Sequence, residues 1–100
     1  MNCSSCHQTD GTGVPGAFPP LDANPDVTGD PRVVIARVKL GTSGTLLVAG
    51  ERYHGTMPSW NGVISDDDIA AVVTFVRSAW HNHSGPVSVA DVRAVTREAP

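Results

Sequence analysis

Apolar positions recur at helical spacing in two stretches of this chain. In the first, Val34, Ile35 and Val38 share a face behind Asp30 and Pro31. An acceptor side chain followed by proline reads as an N-cap with proline at the first helical position, and Gly41 supplies a C-terminal stop. The pattern predicts a helix over 31–40. In the second, Ile69, Val72, Val73, Val76 and Trp80 follow Ser65, with Asp68 placed as in a capping box, which predicts an amphipathic helix over 66–80. Ser88 and Asp91 predict a short last helix over 89–98. Residues 8–30 are punctuated by glycine and proline and read as loop. Residues 41–64 read as loop and turn, with Leu46, Leu47 and Val48 as a brief extended run. The prediction is an all-α domain with long loops over residues 1–83. Residues 84–100 form a tail, either a linker stub or a short helix.

Composition changes this picture in one respect. The 100 residues include five aromatics against ten glycines and eight prolines, so little side-chain bulk is available for a core. Small domains of this kind often lean on a metal, a disulfide or a cofactor. A loop of about 20 residues inside a compact domain suggests wrapping around such a group. The net charge is −3 and the seven basic residues are scattered, which excludes a nucleic-acid binder. No apolar stretch approaches the roughly 20 residues of a membrane span. Only Met1 and Asn2 precede Cys3. No export signal is visible, so the chain reads as a trimmed export product or a fragment.

Candidate chemistry begins at Cys3-Ser4-Ser5-Cys6-His7. A C-x-x-C-H run reads as a covalent haem attachment site. Two thiols three positions apart can reach the two vinyl groups on one porphyrin edge, and the next residue sets its imidazole under the iron. One such run predicts one haem c, bound through Cys3 and Cys6, with His7 as proximal ligand. A redox C-x-x-C belongs beside a βαβ pattern, which is missing here. Zinc asks for four ligands, for which His81 and His83 are the only further pair. A disulfide between Cys3 and Cys6 closes too small a loop to stabilise much. For the sixth position Met57 is favoured, because Gly55 and Pro58 keep Tyr53-His54-Gly55-Thr56-Met57-Pro58-Ser59-Trp60 irregular and a thioether raises the potential. His54 is the runner-up.

Three ordered blocks, CSSCHQTDGTGVPGAFPPL at 3–21, YHGTMPSW at 53–60 and ISDDDIAAVVTFVRSAW at 64–80, resemble the small bacterial class I cytochromes c. The likeness is greatest to the cytochrome domains attached to quinoprotein dehydrogenases and terminal oxidases. The resemblance implies thioethers at Cys3 and Cys6, axial ligation by His7 and Met57, and a small cytochrome c fold. It also implies that a carbonyl of the Pro19-Pro20 pair accepts the ring N–H of His7, which orients the imidazole and strengthens it as a donor. Cytochromes of this family normally begin with a helix that crosses the C-terminal one, and most of that helix is lacking ahead of Cys3. Part of the stripe at Val72, Val73, Phe75 and Val76 is therefore predicted to be exposed, with self-association through 66–80.

Lesser candidates are Tyr53 and Trp60 as donors to haem propionates, or as packing on the haem edge. Arg37 or Arg52 is a counter-charge or a solvated arginine. Phe18, Leu21, Ile35, Val38, Leu46 and Leu47 are assigned to an apolar wall. The predicted function is one-electron transfer between respiratory or dehydrogenase partners, with transient docking, in the periplasm. A haem enzyme or gas-binding module with a displaceable sixth ligand, and a thiol or zinc module, are the alternatives.

Overall fold

In a computed structural model of the chain, residues 7, 8, 10–14, 16, 18–48 and 50–96 are described. Cys3 and Cys6 lie outside them, as do the side chains of Leu46 and His54. Six elements follow in order: α1 (Pro25–Thr28), α2 (Pro31–Leu40), β1 (Thr42–Val48), β2 (Glu51–Met57), α3 (Asp66–Ser78) and α4 (Val89–Ala94).

The helix ends are fixed by local chemistry. The Asp30 carboxylate accepts from the amide of Arg32 at the start of α2, and Gly41 terminates it at φ 78°. Ser65 accepts from the Asp68 amide at the start of α3. Ser88 and Asp91 satisfy each other's backbone amides in a full capping box at α4. Helix α1, which falls in a predicted loop, uses the same device as α2: Asn24 caps it and Pro25 opens it. Helix α3 stops two residues short of its predicted end: Ala79 is already extended at ψ 165°, and Trp80 then turns to φ 55°, in the left-handed region.

The main correction concerns residues 42–57. They form an antiparallel hairpin in register from Thr42 opposite Met57 to Val48 opposite Glu51, with two residues between the strands. A two-residue connection of this kind needs positive φ, and Gly50 supplies it at 83°. The fold is thus mainly helical with a two-stranded sheet.

One core cluster joins these four helices. Val27 of α1, Ile35 of α2, Ile69 and Val73 of α3 and Val92 of α4 pack together, and Ile69, Val73 and Val92 are wholly buried. Burying side chains of this size contributes about 1.5–3 kcal/mol each. Beyond residue 84, Val87, Val92 and Val95 are buried in this same cluster. The same packing covers most of the α3 stripe. Val73 and Val76 are buried, and Phe75, at 52% exposure, is the member left facing solvent. Phe75 meets Trp80 edge to face at 5.9 Å.

Candidate haem centre

His7 is helical and only 7% exposed. Its Nδ1 lies 2.8 Å from the Pro19 carbonyl. A carbonyl only accepts, so Nδ1 must carry the proton, and the neutral ring presents its lone pair on Nε2. That is the state a metal-binding imidazole requires. Of the two prolines, Pro19 thus holds the ring, whereas the Pro20 carbonyl accepts from Asn24 Nδ2 at 2.7 Å.

The loop from His7 to Ala23 is closed on itself and then clamped from outside. Gly13 N–H returns to the His7 carbonyl at 3.0 Å, and the Gly11 carbonyl accepts from Leu21 and Asp22. A side chain at Gly13 would lie 2.3 Å from the Phe18 carbonyl oxygen, so glycine is required where these strands of loop cross. The clamp comes from Trp80, His81 and Asn82, just beyond α3. The Trp80 indole lies on Gly11, where an added Cβ would approach the ring to 2.9 Å. Asn82, 2% exposed, accepts from Ala23 N–H and donates to the Leu21 and Val76 carbonyls. His81 meets Asp22 twice, backbone N–H to Oδ1 at 2.9 Å and Nδ1 to Oδ2 at 2.7 Å. The hydrogen bond to His81 holds the Asp22 carboxyl below the usual range, and the same contact raises the His81 imidazole above its ordinary value.

Met57 is the last residue of β2, half-buried and packed against the core cluster, rather than part of an irregular loop. The chain becomes irregular only at Pro58. From there it runs along the end of α2. Trp60 N–H donates to the Val38 carbonyl at 3.2 Å, Asn61 N–H to the Lys39 carbonyl at 3.1 Å and Ser59 Oγ to the same carbonyl at 2.6 Å. Trp60 is half-buried against the core and Tyr53 is buried on β2. Arg37 is committed to Asp26 at 2.6 Å, and Arg52 is exposed. Ile35 and Val38 belong to the helical core, Leu21 packs against it, and Phe18 and Leu47 face solvent. The clamp at 80–82, and the use of the α2 end as a mount, were not visible in the sequence pattern. Asn82 lies between two histidines in a polar run, and its three partners are 6 to 61 positions away.

The donor set suits a covalently tethered haem. Two cysteines and one buried, tautomerically fixed imidazole are available in a C-x-x-C-H run. No cluster of three or more His, Cys, Asp or Glu that could hold a metal by itself occurs among the described residues.

Such a site on a small, loop-rich helical domain defines a monohaem cytochrome. The family model for cytochrome c matches residues 1–80, and the chain belongs to that family. It is 38% identical over 102 residues to the cytochrome c subunit of the quinone-dependent alcohol dehydrogenase of Gluconobacter oxydans, covering 99% of this chain and 21% of that subunit. It is 37% identical over 82 residues to cytochrome c-552 of Thermus thermophilus, covering 78% of this chain and 62% of that protein. The gluconate 2-dehydrogenase cytochrome c subunit of Pantoea cypripedii is 30% identical over 99 residues, 97% of this chain and 22% of the subunit. The chain thus spans about a fifth of the two dehydrogenase subunits. It is an electron-transfer domain carrying one covalent haem c, for which its two cysteines suffice. It is not itself a catalyst. No helix among the described residues is long and apolar enough to cross a membrane.

Proposed function

We propose that the chain is a His/Met-ligated cytochrome domain that passes single electrons from a quinoprotein-type dehydrogenase towards a respiratory acceptor in the periplasm. Cys3 and Cys6 form the thioethers, His7 is the proximal ligand and Met57 the distal one. The observation that carries this reading is the buried His7 imidazole, whose Nδ1 is engaged by Pro19 and whose Nε2 is left as the donor. When bound, the haem supplies a one-electron couple whose potential is tuned by axial ligands and burial. The protein holds the imidazole at a fixed angle, and Met57 keeps a thioether at the far end of the hairpin. With His7 and Met57 both holding the haem, electrons would pass without a substrate binding the metal, and docking would be transient over a small surface. The two dehydrogenase relatives support the choice of partner, because each aligns along nearly all of this chain. With a single lysine and a net charge of −3, electrostatic steering towards an acidic partner is slight.

The test is spectroscopic. After maturation in a periplasm, mass spectrometry following acid–acetone extraction should show one haem still attached. The ferric protein should show the weak long-wavelength band of sulfur–iron ligation. Met57→Ala should abolish that band and lower the potential by a substantial part of the roughly 0.8 V that axial ligands span. An unchanged spectrum in Met57→Ala, with a change in His54→Ala instead, reverses the assignment.

A further inference from the structure

The last carbonyls of a helix have no partner within it and must find one elsewhere. At the end of α2 that partner is the segment directly after Met57. Arg37 O is closed by Gly41 N–H, Val38 O by Trp60 N–H, and Lys39 O by both Asn61 N–H and Ser59 Oγ. Three of the four donors thus come from 59–61. The fit is close as well as bonded. A Cβ on Gly41 would lie 2.5 Å from the Met57 carbonyl oxygen and 2.9 Å from the Ser59 nitrogen, both of them backbone atoms. Gly41 also stands at φ 78°, which other residues adopt only under strain. The helix end and the Met57 segment are therefore in direct van der Waals contact.

Among these contacts the Ser59 hydroxyl is distinct. At 2.6 Å it is the shortest, and it is made by a side chain, so it can be removed without touching the backbone. The same Oγ also accepts weakly from Asn61 N–H at 3.4 Å, which places it at the centre of the turn that follows Met57. We infer that Ser59 is a positioning residue for Met57: its bond to the Lys39 carbonyl ties the segment to α2 and sets how readily the thioether leaves the iron. This rests on the reading of Met57 as the sixth ligand.

The experiment uses the full chain with haem attached and titrates the ferric protein with imidazole, which must displace the sixth ligand to bind. Ser59→Ala should raise imidazole affinity by about threefold to tenfold, the factor that one net hydrogen bond is worth. Ser59→Thr, which keeps the hydroxyl, should restore the parent value. The sulfur band should weaken in parallel in Ser59→Ala alone. A lower melting temperature with imidazole affinity unchanged means that Ser59 is merely structural, and the inference falls. If the parent lacks the sulfur band, and Met57→Ala leaves imidazole binding unchanged, the ligand assignment falls and takes this inference with it. If Met57→Ala removes the band while Ser59→Ala behaves as parent, only the Ser59 inference falls.

Discussion

The two sides of the proposed centre are held by different means. The His7 loop is clamped by side chains from 80–82, across nearly 60 residues of sequence, with a buried asparagine at the middle. The Met57 segment is mounted on a helix end, chiefly through backbone amides and one exposed-turn hydroxyl. Loosening the first disturbs α3 and the core, because Asn82 also binds the Val76 carbonyl within α3. Loosening the second frees a turn and leaves the helices packed. The proximal ligand should therefore be lost only when the domain unfolds, whereas the distal ligand should be releasable by a local change.

The sharpest way to break this contrast is Asn82→Leu. It removes three hydrogen bonds at a buried site and strands the Ala23 amide and the Leu21 and Val76 carbonyls. At about 1–3 kcal/mol for each stranded group, the loss should reach several kcal/mol and show as a large fall in the urea midpoint. Val92→Ala comes next. Val92 is fully buried where α4 meets the core, so truncation should cost about 2 kcal/mol by transfer and cavity terms, measurable in the same denaturation series. Wild-type stability in Val92→Ala would mean that the tail does not contribute to the core. Gly41→Ala should affect the distal side selectively. The added methyl presses on the Met57 and Ser59 backbone, so carbon monoxide binding to the ferrous protein should increase while the His7 side stays intact. Failure of Gly41→Ala to open the site more than a substitution on exposed Glu51 would argue against the mount.

The smallest expected effect belongs to His81, whose side chain is largely exposed. A histidine raised above its ordinary 6.5 stabilises fully below that value and loses the contribution as pH rises through its folded value. An aspartate held below 3.8 stabilises above that value and loses the contribution as pH falls through its folded value. The melting-temperature difference between the parent and His81→Gln should thus be flat from about 3.8 to 6.5 and shrink on either side. Added salt should reduce it throughout.

Much of the helical frame is legible from single residues. Asp30 with Pro31, Ser65 with Asp68, and Ser88 with Asp91 announce three helix starts, because capping is a local interaction. Asn24 with Pro25 carries the same message for α1 and is obscured by the surrounding prolines and glycines. The hairpin is harder. Thr42, Ser43, Gly44 and Thr45 give no alternation of apolar and polar positions, so only the two-residue spacing at Ala49-Gly50 marks the turn. The His7–Pro19 contact was legible through family likeness, not through spacing. The packing of Val87, Val92 and Val95 depends on tertiary partners that no short window contains.

The place of α4 also has a consequence for the order of assembly. Cys3 and Cys6 leave the ribosome ahead of the rest of this domain, whereas Val92, buried where α4 meets the core, follows Cys6 by 86 residues. At about 5–20 residues per second, this interval is roughly 4–17 s. For that time the attachment motif is exposed while the core cannot yet shut. A chain that passes unfolded to the compartment of maturation keeps the same polarity, thiols first and closure last. This order allows a haem to be attached to the cysteines before α4 closes the core over it.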